Sequence, residues 1–146
     1  MRFFYNNAVY LFWGLIKIYS FFNKKAKLFI DVRKNQKFIS KDNVVLFHCS
    51  SLGEYESIKH FIRLFKEKNK NSSIFLSAFS PSINQNNIDS NYIDYFFYFP
   101  IDSIKNVKKI ISQVNPKKIF FVRKELWFNF IFEISKRKIP VYLISA

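Results

Sequence analysis

Glycine is nearly missing from this chain, with two in 146 residues. That excludes the glycine-rich loop with which many α/β proteins wrap nucleotide phosphates. It also singles out Gly53, which is expected to sit where a side chain would not be tolerated. One cysteine, Cys49, excludes an internal disulfide framework and suits a reducing compartment. The two histidines, His48 and His60, are far apart in sequence, and no His/Cys group has metal-ligand spacing. No metal or other cofactor is therefore expected, and His60 reads as an ordinary structural histidine. Acidic residues are also scarce: 10 Asp and Glu stand against 24 Lys and Arg, a net charge of +14. Lys, Asn, Ile, Phe and Tyr all have A/T-rich codons, so genome composition explains part of that excess. A basic surface remains, suited to anionic lipid, phosphorylated substrates or nucleic acid.

What the chain has in plenty is apolar and aromatic residues, 49% and 21%, enough for a core and too much for disorder. Its length fits one compact domain or part of a larger one. Residues 3–22 form an almost continuous apolar segment, about long enough to cross a bilayer. On a helix, Asn6, Tyr10, Gly14 and Lys17 line up as a narrow polar stripe. This pattern reads as a helix embedded in one membrane face, or docked on its own domain; Lys17 near the centre disfavours a simple span without excluding one. If the segment spans, the basic run that follows, Lys24-Lys25-Ala26-Lys27, would hold the remainder in the cytoplasm, and the globular part is expected there either way. Residues 1–27 are thus expected to be a membrane-associated helix with its basic flank, and 28–43 a connector.

From Val44 onward, strand and helix patterns alternate. Strands are expected over 44–49, 74–79, 95–99, 118–122 and 141–145. Helices are expected over 54–68, from Asp102 as N-cap to the residue before Pro116, and over 126–136. The Asn/Ser-rich stretch 80–91 carries no clear pattern. Such alternation implies an α/β fold with a doubly wound parallel sheet, Rossmann-like, over residues 44–146.

Three segments fall at carboxyl ends of strands, where ligands bind in such sheets. They are Ser50-Ser51-Leu52-Gly53-Glu54, Pro100-Ile101-Asp102 and Arg123-Lys124-Glu125-Leu126-Trp127. Glu54 would occupy the first turn of a helix, where the dipole favours an ionised carboxylate, as a general base requires. The plainer reading of Glu54 is a solvated acid steadying a helix start. For Glu125 and Trp127 it is a capping acid and a core tryptophan.

Taken in order, these segments resemble the amino-terminal domain of the Kdo transferases. These glycosyltransferases add 3-deoxy-D-manno-octulosonic acid to the lipid A precursor. The resemblance rests on His48, Ser51, Gly53 and Glu54, then Pro100 and Asp102, then Glu125, Leu126, Trp127 and Asn129. It continues through Ile139, Pro140, Leu143, Ile144, Ser145 and Ala146, with Leu76 to Ser82 similar to the family's second-strand turn. The departures are Arg123, where many relatives have Glu, Phe128 in place of Pro, which would loosen the turn after Trp127, and Ile83 where a glycine is usual.

The resemblance implies a GT-B architecture of two Rossmann-like domains with the cleft between them. This chain would supply part of the acceptor-side half, and the donor-binding domain would be absent. It implies transfer of Kdo from CMP-Kdo to lipid IVA at the cytoplasmic face of the inner membrane. Glu54 would be the general base, with Ser51, Gly53, Glu125 and Trp127 in substrate binding, and the chain alone would be inactive. Two other readings stand beside it: a non-catalytic, membrane-bound remnant of such an enzyme, and a basic nucleic-acid-binding protein. The apolar first 22 residues and the lack of any recognised motif speak against the latter, and no nucleic-acid partner is expected.

Overall fold

Val44–Cys49 forms β1, and every one of its six side chains is buried. A strand covered on both faces belongs at the centre of a parallel sheet. The computed structural model describes residues 2–123 and 127–144. Glu125, Leu126, Ser145 and Ala146, on which some of the expectations fall, lie outside the described residues. The other strands are β2 (Ser73–Ala78), β3 (Tyr95–Tyr98), β4 (Lys118–Val122) and β5 (Val141–Ile144). All four pairings are parallel, in the order β3-β2-β1-β4-β5. The fold is the expected Rossmann-like α/β arrangement. The helices are α1 (Arg2–Tyr19), α2 (Lys24–Asp31), α3 (Leu52–Lys68), α4 (Ile104–Val114) and α5 (Phe128–Lys136).

Alternation along β1 sorts the core into two layers. Val45, Phe47 and Cys49 pack with Tyr55, Ile58 and Ile62 of α3. Val44 and Leu46 face the other way, onto Val107, Ile110 and Ile111 of α4 and Phe130 and Ile134 of α5. The stretch 80–91, unreadable in sequence, folds around a single 3-10 turn at Gln85–Asn87, boxed by Asn84 and Asn87. Its Ile83 and Ile88 plug into the α3 layer.

The amino-terminal segment departs from expectation. The helix stops at Tyr19, and Asn23 starts a second one by accepting from the N–H groups of Lys25 and Ala26 at 2.9 and 3.1 Å. Among the described residues no helix is long and apolar enough to cross a membrane, which removes the spanning form of the expectation. α1 docks on its own domain, one of the placements its polar stripe suggested. The Arg2 guanidinium lies 4.1 Å over the Phe132 ring, the Tyr5 ring is 5.3 Å from Phe128, and Trp13 is 6.2 Å from Phe29. Of the polar stripe, Asn6 faces the domain while Tyr10 and Lys17 are exposed. The opposite side leaves Phe3, Phe4, Leu11, Phe12, Leu15 and Ile18 in the open, and Phe21 and Phe22 beyond it are 84% and 85% exposed.

Candidate functional site

The strand order reverses between β1 and β4: from β1 the chain moves toward β2 and β3, from β4 toward β5. In doubly wound proteins ligands bind at such a reversal, at the carboxyl edge of the sheet. The segments after β1 and β4 are therefore neighbours, as the sequence pattern requires for Glu54 and Trp127.

Ser51 is the N-cap of α3, with extended backbone at φ −144° and ψ 167°, but its side chain makes no capping bond. Two other residues satisfy this helix start. The Ser82 hydroxyl, from the turn after β2, accepts from the Leu52 N–H at 3.2 Å. Glu54, three residues past the cap, folds its carboxylate back to accept from the Ser50 N–H at 2.5 Å. The bond resembles a capping box displaced by one residue. Glu54 is only 9% exposed, so it is not the solvated first-turn acid of the plainer reading. Beside it the buried Cys49 thiol is pushed far above its ordinary pKa, first by burial and then by the negative charge of Glu54.

Gly53 corrects its expectation. A Cβ built there meets nothing within 4 Å, and no glycine in the chain has positive φ. Space does not demand glycine here; the residue is exposed on the outer side of the first turn of α3.

After β4, Trp127 precedes α5, packs with the α4–α5 layer and sends its indole N–H to His48 Nε2 at 3.0 Å. Its ring stacks with Phe99 at 6.2 Å and lies 4.6 Å from Phe79. His48 Nδ1 is 2.9 Å from the Ser77 hydroxyl on β2. Burial pushes the pKa of this imidazole down to about 3. His60, by contrast, is an exposed residue of α3. Arg123, at the end of β4, has φ of 61°, a left-handed conformation that costs a residue with a side chain about 1 kcal/mol. Glu125 lies outside the described residues.

Two residues of this edge play roles that the sequence did not assign to them. Asp102 was expected to cap α4, but Ser103 does so, accepting from the Asn106 N–H at 3.3 Å. Asp102 caps α5 instead. Its carboxylate accepts from the N–H groups of Asn129 at 2.8 Å and Phe130 at 3.0 Å, and from the Tyr5 hydroxyl at 2.7 Å. Burial raises its pKa, opposed by those three donors. This capping supplies partners for two N–H groups in the first turn of α5, which starts at Phe128. Arg33 reads as one of many surface cations, yet its guanidinium is desolvated enough to lower its pKa to about 10. It donates to the carbonyls of Phe29 at 2.6 Å, Phe99 at 2.9 Å and Phe79, and lies 3.6 Å over the Phe29 ring. Asp102 lies in a segment the sequence singles out and Arg33 does not, but the partners of both are distant in the chain, so only the tertiary fold reveals these roles.

The arrangement offers two buried carboxylates, Glu54 and Asp102, one neutral imidazole and an aromatic wall at the carboxyl edge of the sheet. Among the described residues, no group of three His, Cys, Asp or Glu comes together to hold a metal ion.

A family model described as 3-deoxy-D-manno-octulosonic-acid transferase (kdotransferase) matches residues 23–146. A 3-deoxy-D-manno-octulosonic acid transferase of Haemophilus influenzae is similar over 104 residues at 25% identity. That match covers 70% of this chain and 24% of the relative, so the matched region spans about a quarter of the relative's length.

Proposed function

The chain belongs to the 3-deoxy-D-manno-octulosonic-acid transferase family, and from that premise we propose that it is the acceptor side of an enzyme transferring Kdo from CMP-Kdo to lipid IVA. Residues 44–146 supply part of the first Rossmann-like half of a GT-B pair, and a second half binds the sugar nucleotide. In the reaction, Glu54 takes the proton of an acceptor hydroxyl while that oxygen attacks the anomeric carbon of Kdo. The bond from that carbon to the CMP phosphate breaks, and CMP leaves with the electron pair. Glu125 and Trp127 position the acceptor, and Ser51 and Gly53 shape the loop beside it. Transfer needs the donor-binding half, so these residues alone do not carry it out. The enzyme works at the cytoplasmic face of the inner membrane, with the exposed apolar side of α1 and the basic surface toward the lipid.

The observation that carries this reading is the placement of Glu54. It is fixed by a 2.5 Å bond from Ser50 at the carboxyl edge of β1, at the point where the strand order reverses. The same bond favours one other reading, in which Glu54 only caps α3. Glu54→Gln separates the two, because an amide oxygen still accepts from the Ser50 N–H but takes no proton. In the full-length enzyme this variant is expected to lose transfer by about 10²–10⁴-fold, the usual contribution of a general base, with its unfolding midpoint little changed. Undiminished turnover would leave Glu54 as a cap.

A further inference from the structure

We infer that His48 is a positioning residue that holds Trp127 against the carboxyl edge of the sheet through the lone pair of its Nε2 atom. The inference deepens the acceptor-site reading, since Trp127 is one of the residues assigned there. His48 lies on central strand β1, paired with Ser77 of β2 on one side and Phe121 of β4 on the other, and is 1% exposed. Its ring is packed between Phe99, 4.9 Å away, and Phe121, 5.5 Å away.

An indole N–H can only donate, so the 3.0 Å contact from Trp127 requires His48 Nε2 to be unprotonated. The single ring proton of the neutral imidazole then sits on Nδ1 and points at the Ser77 hydroxyl, 2.9 Å away. Ser77 in turn donates toward the Phe47 carbonyl at 3.4 Å. Every donor in this chain points one way, from Trp127 to the backbone of β1. Both ring nitrogens are occupied, which leaves neither for a metal ion or for carrying protons to substrate. Its aromatic neighbours Phe79 and Phe99 pack against the indole but offer it no directional bond. The contact with Nε2 supplies one. It sets the orientation of Trp127 immediately before α5.

The test uses the ¹⁵N-labelled full chain. Ring ¹H–¹⁵N correlations report the tautomer of His48, and hydrogen exchange reports the Trp127 indole, which Trp13→Phe distinguishes from the other tryptophan. The expected result is the Nδ1–H tautomer, with indole exchange about tenfold faster in His48→Phe and restored toward the parent in His48→Gln, which keeps an acceptor. In the full-length enzyme, His48→Phe should lower kcat more than it changes KM for the sugar nucleotide, and His48→Gln should recover part of it. An Nε2–H tautomer, or an indole unaffected by His48→Phe, overturns the inference. If His48→Phe does not fold, the tautomer and the indole exchange of His48→Gln decide it. Glu54→Gln leaves these resonances in place whatever its turnover, so failure of the base assignment and failure of this one are told apart.

Discussion

Ionising His48 inside the fold means placing a charge between two phenyl rings and losing the bond from Trp127. Its pKa is accordingly pushed from the ordinary 6.5 to about 3 by burial. Above pH 6.5 both folded and unfolded chains hold it neutral. Between 6.5 and 3 the unfolded chain takes a proton that the native one refuses. Stability therefore falls as pH drops through that window, by about 1.4 kcal/mol per unit from this residue. Asp102 opposes the trend at the acid end, because a carboxyl with raised pKa binds its proton more readily in the native state. Urea unfolding at pH 7 and pH 5.5 should show the loss, and His48→Gln should flatten it. The residues at this edge differ in how far the sequence reveals them. Glu54 is legible in position because the strand end at Cys49 and the helix start at Leu52 both lie within a few residues before it in the chain. His48 and Trp127 are nearly eighty residues apart, and their bond exists only because β1 and β4 are neighbours. Gly53 misleads because scarcity in an A/T-biased composition is not evidence of steric need.

Of the three helices that begin at the carboxyl edge, α4 is capped by its own Ser103, whereas the N-cap residues of α3 and α5, Ser51 and Trp127, do not use their side chains as caps. Ser82 and Asp102 do the work from other loops. For α5 the consequence is large, since one carboxylate satisfies two backbone donors and also receives Tyr5 of α1. Asp102→Ala should cost about 2–4 kcal/mol, measured by denaturant unfolding, and should speed amide exchange in the first turn of α5. Capping from a distance is also why the sequence assigned Asp102 to the wrong helix: local rules see only the residues that follow it. By contrast the strands and helices from Val44 onward are legible to within a residue or two, as hydrophobic periodicity is a local signal. The amino-terminal segment was less so, because apolar residues on every side of a helix do not say which side docks.

At the scale of the whole molecule, charge and greasiness combine at the amino terminus. The exposed side of α1 presents phenylalanines and leucines, and Lys17, Lys27 and Lys34 border a cavity of about 530 Å³ between α1 and α2. Apolar insertion and attraction to anionic headgroups reinforce each other at a bilayer surface. The chain should therefore co-sediment with vesicles containing anionic phospholipid, and do so less at high salt. Replacing exposed Phe4 and Leu11 together by Ser should weaken that binding about tenfold while leaving the circular dichroism spectrum unchanged.

Arg33 joins these scales. A single guanidinium grips the last turn of α2 together with the backbone just past β2 and β3. The amino-terminal hairpin is thereby riveted to the floor beneath Trp127, whose neighbour Phe79 is one of the gripped residues. Any tilt of α1 and α2 against a surface therefore pulls on the same guanidinium that holds the Phe79 and Phe99 carbonyls behind the aromatic wall.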